Sequence, residues 1–186
     1  NLLRYIPSGT ARGMGIFFGG WIMGVKEARD HLKKFGMEEA VITLPSSSAS
    51  VELAAQALGI RAAEVAKSLT FEAEEGCILI VLAGDRKLHS GKFKRTFGIK
   101  AHMLAPELVK KYTNHAIGGV CPFGVNKETK VYLDESLKAF DFVYPACGES
   151  NNAMKIAPQT LAHMCDSLGW VDVSKPMEKQ IIGCSE

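Results

Sequence analysis

A loop of glycine and proline at residues 118–124 (GGVCPFG) has a composition suited to a site where the backbone meets a charged oxygen atom. Gly118 and Gly119 can adopt positive φ or let a ligand approach the chain closely, and Pro122 fixes its own φ. Such a loop can direct consecutive N–H groups to one point, which stabilises an oxygen atom that gains negative charge. The alternative interpretation is a tight turn, because most clusters of glycine and proline are turns.

Two charged side chains could serve the same chemistry. Lys67 begins an apolar strand, where an ammonium group is costly unless it meets an anion or hydrogen-bond acceptors. It could hold a phosphate or the carbonyl side of a substrate, or it could pair with a carboxylate such as Glu64. Asp134 follows a predicted strand and could hold a substrate ammonium or hydroxyl group, with helix capping as the alternative. Gly148 can let the backbone approach the same cleft, or it can mark an ordinary turn.

The candidate nucleophiles favour a non-covalent mechanism. No Ser-His-Asp order is apparent, and the serines of the turn at residues 45–50 (PSSSAS) are typical of helix caps. Ser48 is a candidate to line a substrate pocket, as are Cys121 and Pro122 in the glycine loop. Cys121 has no histidine close to it in the sequence other than His115. An alternative function, thiol redox chemistry at Cys121, predicts a thiol pKa well below the free value of about 8.5.

Length and composition indicate a single soluble domain. The chain has 186 residues, of which 47% are hydrophobic and 23% are charged, so it can bury a core and leaves no room for long disorder. Its five cysteines are scattered and odd in number, which favours reduced thiols in the cytoplasm over a disulfide framework. The five histidines show no metal-ligand spacing. We therefore expect neither a bound metal nor another cofactor.

The two ends of the chain differ from its middle in composition. Residues 1–22 are glycine-rich and lack acids, and their apolar part is too short to span a bilayer. We interpret them as an N-terminal extension of uncertain origin, followed by one domain over residues 23–175. Residues 176–186 are interpreted as a loose C-terminal tail.

Positive charge is concentrated in one segment. The net charge is +2, but residues 85–111 contain eight lysines and arginines against two acids. Such a local basic face suits a polyanionic ligand, whereas a solvated helix surface is the alternative. Lys92, Lys94 and Arg95 are the candidates for contact with phosphate groups of an RNA.

Helices and strands alternate irregularly around these residues, which predicts an α+β fold with a mixed and strongly curved sheet. Residues 67–73 and 77–83 form a predicted hairpin whose second strand, CILIVLA, is apolar throughout and therefore central. Ser50 and Gly59 are expected to bound a helix over residues 51–58. The other predicted helices cover residues 25–35, 90–97, 106–112 and 158–168, and the other predicted strands cover residues 40–44, 100–104, 130–133, 142–145, 153–156 and 170–173.

Five sequence motifs follow one another in a recognisable order. They are VAKSLTF at residues 65–71, LAGDRKL at 82–88, GGVCPFG at 118–124, VYLDESL at 131–137 and ACGESNNAMKIAP at 146–158. In this order and spacing the chain resembles the YbaK/EbsC family, relatives of the editing domain inserted in bacterial prolyl-tRNA synthetases. The resemblance extends from about residue 41 to residue 173.

The resemblance implies a deacylase that acts in trans on aminoacyl-tRNA, hydrolysing the ester between a wrong amino acid and the 3′-terminal adenosine. It also implies a single α+β domain with a barrel-like sheet flanked by helices and a cleft beside the glycine-rich loop. The family's lysine corresponds to Lys67 and its aspartate to Asp134. Its G-x-x-x-P loop corresponds to Gly118 and Pro122. The attacking group would be a positioned water, or the ribose 2′-hydroxyl would act as a base within the substrate.

The substrate expected from this resemblance is tRNA-Pro that carries a small wrong amino acid such as alanine or cysteine. The misacylated acceptor end is the expected partner, prolyl-tRNA synthetase is a second candidate, and neither a membrane nor DNA is expected. The PSSSAS turn differs from the aromatic residue or histidine that many relatives carry there, which leaves the identity of the amino acid open. The alternative function is a non-catalytic protein on the same fold that binds tRNA or a nucleotide without turnover.

Overall fold

The computed structural model describes residues 25–45 and 50–177, and within these ranges it contains five α-helices and nine strands. The helices are α1 (Val25–Lys33), α2 (Val51–Leu58), α3 (Ser90–Phe97), α4 (Pro106–Thr113) and α5 (Pro158–Met164). The strands are β1 (Ile42–Thr43), β2 (Val65–Glu72), β3 (Cys77–Ala83), β4 (Arg86–Leu88), β5 (Thr129–Asp134), β6 (Tyr144–Pro145), β7 (Asn152–Ala153), β8 (Trp170–Val171) and β9 (Ser174–Pro176). Short 3₁₀ helices occupy Glu38–Ala40, Ala62–Glu64 and Glu135–Ala139.

A mixed five-stranded sheet, in the order β6-β2-β3-β5-β8, forms the centre of the fold. β2 and β3 are antiparallel, whereas the pairings of β2 with β6, β3 with β5 and β5 with β8 are parallel. Every residue of β3 is buried, as predicted for CILIVLA, because this strand has a neighbour on each side and is covered on both faces. β1 with β7 and β4 with β9 form two separate two-stranded sheets. The predicted α+β class with a mixed sheet is confirmed.

Two hydrophobic cores cover the two faces of the central sheet. Leu79 of β3 belongs to a core that includes residues of α1 and α5, whereas Ile80 belongs to a core with α3. In the second core the ring of Phe93 on α3 lies 5.0 Å from the ring of Phe71 on β2. Because side chains alternate along a strand, Lys67 lies on the same face of β2 as Phe71, and therefore on the side of the sheet that carries α3.

Capping residues define the ends of α2 and α3 as predicted. Ser50 Oγ accepts a hydrogen bond from the Leu53 amide at 3.2 Å, and Gly59 ends α2 with a φ of +66°. Gly98 ends α3 in the same left-handed region, with a φ of +77°. Glycine is favoured at both C-caps because it has no Cβ to clash in this conformation.

The strand predicted over residues 100–104 is wrong, because this segment forms only a single bridge, between Met103 and Phe71. Pro106 begins α4 shortly after the bridge, so the chain turns away from β2 before it can extend the pairing. The consequence is that part of the outer edge of β2 has no neighbouring strand.

In the C-terminal part of the domain the strands predicted over residues 142–145, 153–156 and 170–173 are shorter, as β6, β7 and β8, and α5 and β9 also differ from the prediction. α5 ends at Met164 rather than at residue 168, because Cys165 is its C-cap and Asp166 adopts a left-handed φ of 49°. β9 pairs with β4 and extends to Pro176, one residue beyond the predicted end of the domain.

Three sequence predictions lie outside the described residues: the extension over residues 1–22, Ser48, and residues 178–186 of the predicted tail. Among the helices that the structure describes, none has the length and apolar character needed to cross a membrane. Within the same ranges, no group of three or more His, Cys, Asp or Glu side chains could hold a metal ion.

Candidate active site

The outer edge of β2 is partly unpaired, and this gap opens into a cavity. β6 pairs with β2 only at Val65 and Ala66, and beyond the gap the Leu104 amide donates a hydrogen bond to Thr70 O at 3.0 Å. Because strand residues two apart direct their backbone groups to the same side, Ser68 presents its N–H and C=O to the gap. No described strand pairs with β2 at this position on that side, so these main-chain groups can contact a ligand.

The cavity has a volume of about 540 Å³, which is typical of sites for small molecules. Its walls come from α2, β2, the start of α4, the loop at residues 117–120 and the segment at residues 144–153. Among the described residues that line it, Lys67 is the only basic side chain and Glu149 the only acidic one. The apolar side chains in the lining include Val51, Leu58, Leu69, Leu104, Val109 and Ile117.

The ammonium group of Lys67 has few partners within the protein. Its Nζ donates a hydrogen bond to Gly84 O at 3.0 Å and lies 3.9 Å from Met177 Sδ. Among the described side chains, no carboxylate lies within 4.0 Å of it. Glu64, the partner considered from the sequence, instead accepts a hydrogen bond from Arg61 at 3.1 Å. Lys67 therefore has hydrogen-bonding capacity left for an anionic or carbonyl group of a ligand.

Burial and backbone packing set the properties of this lysine. Burial lowers the pKa of Lys67, and the charges of Asp85 and Glu52 offset this effect only in part. Its acceptor, Gly84, is tightly packed: a Cβ at that position would lie 2.0 Å from the carbonyl oxygen of Ala62. Only glycine fits there, and the close packing fixes the carbonyl group that orients the lysine.

The glycine loop supplies a second polar group to the same cavity. Gly118 is part of the lining and has a φ of +92°, a conformation that favours glycine. Within the described ranges no hydrogen bond uses the Gly118 amide, whereas the Gly119 amide donates to Ala116 O at 3.0 Å. The structure thus brings Lys67 and Gly118 to one cavity. Gly119 cannot serve as the predicted oxyanion donor, because its N–H group already donates to Ala116 O within the turn.

Gly119 serves instead to bring two loops into contact. A Cβ at this position would lie 2.5 Å from Glu149 Cα and 2.6 Å from Glu149 N, so any other residue would force the loops apart. Gly148 precedes this contact with a φ of +91° and is not itself in the lining, whereas Glu149 and Ser150 are. The backbone approach predicted at Gly148 is therefore made by its C-terminal neighbours.

Glu149 is held in place by Asn152, a buried residue with only 4% of its surface exposed. The Nδ2 group of Asn152 donates a hydrogen bond to Glu149 Oε2 at 3.2 Å, while its Oδ1 is buried without a partner in the described structure. Ser68 Oγ is likewise buried and unpartnered. Three residues of the site were not predicted, although they lie near Lys67 or Gly148 within two of the motifs: Ser68, Glu149 and Asn152.

Asp134 lies outside the cavity lining, contrary to the prediction that it shares the site. Its buried carboxylate accepts hydrogen bonds from the Ser136 amide (3.0 Å), the Val173 amide (3.0 Å) and the Ser174 hydroxyl (2.7 Å). These three donors satisfy the carboxylate, and the bond to Ser136 caps the 3₁₀ helix that follows β5. The contacts correspond to the capping alternative.

Cys121 and Pro122 are buried outside the cavity lining, which does not agree with their predicted role in substrate binding. Cys121 Sγ lies 3.3 Å from His115 Nε2, but that nitrogen is also 2.7 Å from Phe123 O and must donate its proton to this carbonyl. Burial raises the pKa of Cys121 to about 12. Because the thiol stays protonated and out of reach of solvent, the hypothesis of redox chemistry at Cys121 is wrong.

The three basic candidates on α3 have different surroundings. Lys92 has a structural role, because its Nζ bonds to Asp172 at 2.7 Å and to Ser174 O at 3.0 Å. Lys94 and Arg95 are exposed in the last turn of the helix. Since α3 packs on the sheet face that carries Lys67, these two charges lie on the same side of the sheet as the lysine of the cavity.

Comparison with known proteins agrees with the motifs and the fold. The family model for the aminoacyl-tRNA editing domain matches residues 46–164. The chain is 45% identical to the uncharacterized protein YwhH of Bacillus subtilis (strain 168) over 157 residues, which cover 84% of this chain and 100% of YwhH. It is 26% identical to EbsC of Enterococcus faecalis (strain ATCC 700802 / V583), described as a candidate Cys-tRNA(Pro)/Cys-tRNA(Cys) deacylase, over 60% of this chain and 70% of EbsC.

A solved structure also resembles this chain. It is the crystal structure of a candidate trans-editing enzyme for prolyl tRNA synthetase, which superposes with a TM-score of 0.74 at 31% sequence identity. The match covers 81% of this chain and 96% of that one. The similarity therefore extends over most of both chains.

Proposed function

The chain belongs to the aminoacyl-tRNA editing domain family, and we propose that it hydrolyses in trans the ester that joins a wrong amino acid to the 3′-terminal adenosine of a tRNA. The observation that carries this proposal is that Lys67 and Gly118 line one largely apolar cavity. A charged donor and a preorganised backbone donor in a pocket of low polarity are the groups that ester hydrolysis requires.

In the proposed reaction a water oxygen bonds to the ester carbonyl carbon, and the carbonyl oxygen takes up negative charge. The Gly118 amide stabilises this oxyanion by donating a hydrogen bond to it. When the intermediate collapses, the bond between the carbonyl carbon and the ribose oxygen breaks, and the proton lost by the water passes to that ribose oxygen. The neighbouring ribose hydroxyl can relay the proton, as the family resemblance implies. The products are the free amino acid and a tRNA with an intact terminal ribose.

Lys67 positions the substrate in this proposal. Its ammonium is the only positive side-chain charge among the described residues of the lining, and one of its N–H groups is occupied by Gly84 O. The remaining donors can bind a phosphate of the terminal nucleotide or the carbonyl side of the ester. Holding either group beside Gly118 fixes the reacting atoms relative to each other, which is a large part of enzymatic rate enhancement.

For the substrate we propose tRNA-Pro that carries a small wrong amino acid such as alanine or cysteine. The description of EbsC names Cys-tRNA(Pro) and Cys-tRNA(Cys), and that of the solved relative names prolyl tRNA synthetase. Prolyl-tRNA synthetase is then the enzyme that supplies the substrate and a candidate partner. Because editing follows aminoacylation, we propose that the protein acts in the cytoplasm.

A deacylation panel tests this function. The purified protein is incubated with alanyl-, cysteinyl- and prolyl-tRNA-Pro, and with alanine and cysteine on their own tRNAs, and release of the amino acid is followed over time. We expect release of alanine or cysteine from tRNA-Pro and retention of proline. Binding of uncharged tRNA without release from any substrate would contradict the proposal and would support the non-catalytic alternative.

Replacing Lys94 and Arg95 together by glutamate is expected to raise the KM for misacylated tRNA about tenfold at physiological salt, with little change in kcat. Both side chains are exposed on the sheet side that carries Lys67, where they can contact phosphates of the acceptor stem. The measurement is KM as a function of salt between roughly 50 and 200 mM, in which loss of these contacts lowers the salt dependence.

The matched control for this variant is the replacement of Lys33 and Lys34 by glutamate. These lysines are exposed at the end of α1, which belongs to the core on the opposite sheet face, and the substitution changes the net charge by the same amount. The control is expected to leave KM unchanged. If both variants raise KM equally, net charge alone accounts for the effect and α3 does not contact the tRNA.

A further inference from the structure

We infer that the cavity contains a subsite for a free α-ammonium group, in which the Glu149 carboxylate is the acceptor and Asn152 fixes its position. The inference rests on the proposed function, because the ammonium group is that of the aminoacyl ester. It assigns a substrate class: tRNA esterified with an amino acid whose amine is unblocked, as opposed to peptidyl-tRNA or N-acylated aminoacyl-tRNA.

The charges of the cavity match those of such a substrate. Glu149 is the only acidic side chain and Lys67 the only basic one among the described residues of the lining. An aminoacylated 3′ end carries a phosphate anion on the nucleotide and an amine that is largely protonated at neutral pH, since α-amino groups have pKa values of about 7.7–8.0. Because the other walls are mainly apolar, the attraction between opposite charges is stronger here than in water.

Glu149 lies next to the proposed oxyanion donor. The loops that carry Glu149 and Gly118 are in direct backbone contact, since a Cβ on Gly119 would lie only 2.5 Å from Glu149 Cα. In an α-amino ester the amine is attached to the carbon next to the carbonyl carbon. An ester whose carbonyl oxygen binds the Gly118 amide can therefore direct its amine to the adjoining loop, where the carboxylate is.

Asn152 orients this carboxylate from within the core. Its Nδ2 donates to Glu149 Oε2 at 3.2 Å, and its backbone amide donates to Glu149 O at 3.3 Å. The side-chain amide must present its NH₂ group to Glu149, because a carboxylate can only accept hydrogen bonds. One carboxylate oxygen is thus fixed by Asn152, and none of the hydrogen bonds within the described ranges uses the other. That second oxygen is the acceptor for the ligand.

Binding of two non-hydrolysable probes tests the subsite. They are 3′-deoxy-3′-(L-alanylamino)adenosine, in which an amide replaces the ester, and its N-acetyl derivative. By calorimetry the wild-type protein is expected to bind the free amine at least about tenfold more tightly, as a hydrogen-bonded charge pair would give. Glu149→Gln keeps the shape and removes the charge, so it should bring the ratio of the two affinities close to one. Glu107→Gln, at an exposed acid outside the lining, should leave the ratio unchanged.

Asn152→Leu tests the positioning role. It is expected to weaken binding of the free-amine probe more in the wild-type background than in the Glu149→Gln background. A loss of equal size in both backgrounds would show that Asn152 acts only through the fold, which overturns its assigned role.

The subsite and the proposed function can fail separately. Equal binding of the two adenosine probes by the wild-type protein, or binding of neither, overturns the subsite even if the deacylation panel is positive. A preference for the free amine that disappears in Glu149→Gln, with no deacylation of any tRNA, supports the subsite and contradicts the hydrolytic function.

Discussion

Replacing Lys67 by methionine is expected to lower kcat/KM for deacylation by about a hundredfold or more, without unfolding the domain. Methionine has a similar length and fits the apolar cavity, but it removes the only basic side chain among the described residues of the lining. The free energy of unfolding is expected to change by no more than about 1 kcal/mol, because loss of the hydrogen bond to Gly84 O is offset by removal of a partly desolvated charge. Steady-state kinetics and urea denaturation measure the two quantities.

Because burial lowers the pKa of Lys67, the Lys67→Met variant is also expected to differ from the wild-type protein in how its stability depends on pH. In the unfolded chain the lysine titrates near its ordinary value of 10.5, and burial lowers its pKa in the folded state. Below both pKa values the lysine is protonated in both states, so the folded protein carries the full penalty of a desolvated charge. Between the two values the unfolded chain binds more protons, and stability therefore rises with pH. This contribution is expected to disappear in Lys67→Met.

Lys34→Met is the matched control, because it removes an exposed lysine that lies outside the proposed tRNA contact. It should leave kcat/KM unchanged and should keep the rise in stability that Lys67 contributes as the pH increases toward 10.5. Deacylation by Lys67→Met at the wild-type rate would remove Lys67 from the mechanism. Identical pH dependence of stability in wild type and Lys67→Met would contradict the effect of burial on this group.

Replacing Gly119 by alanine is expected to have the second largest effect, although this residue donates no hydrogen bond to the substrate. The added Cβ would lie 2.5 Å from Glu149 Cα and 2.7 Å from the carbonyl carbon of Gly148, and both are backbone atoms that cannot move independently. The two loops must separate, which is expected to cost about 1–3 kcal/mol of stability. A shift of about 1 Å between the Gly118 amide and Glu149 is expected to lower kcat/KM about a hundredfold.

Gly98→Ala separates this packing effect from the general cost of replacing a glycine. Gly98 has a φ of +77°, but a Cβ there would meet nothing within 4 Å. The control should lose about 1–2 kcal/mol of stability through backbone strain and should keep its kcat/KM. Equal losses of activity in the two variants would show that activity follows global stability, not the contact between the loops.

Local chemistry in the sequence was sufficient to predict much of the fold. Ser50, Gly59 and Gly98 mark helix ends through their own hydrogen bonds and φ values: α2 begins after Ser50 and ends at Gly59, and α3 ends at Gly98. β3 follows from its unbroken apolar run. The predicted strand at residues 100–104 failed because pairing depends on the partner, and Pro106 diverts the chain before β2 can be covered.

The candidate site was less predictable, because its members depend on contacts between distant parts of the chain. Lys67 and Gly118 line one cavity, as expected from the motifs that contain them. The carboxylate of Asp134 is occupied by donors from Val173 and Ser174, about forty positions later in the chain. The local sequence around Asp134 does not indicate that these donors lie close to it. Glu149 follows Gly148 within a motif, but its place in the site depends on the packing of its loop against Gly119, a contact between segments thirty residues apart.

β9 brings the last described residues back onto the first half of the chain. Ser174 pairs with Leu88 and donates a hydrogen bond to Asp134, and Met177 contacts the ammonium group of Lys67. Contacts of such large sequence separation can form only when the whole intervening segment is available. On the ribosome, the surroundings of Lys67 are therefore completed only after Met177 has left the exit tunnel. A nascent chain that stops before β9 would lack both the contact of Met177 with this lysine and the hydrogen bond of Ser174 to Asp134.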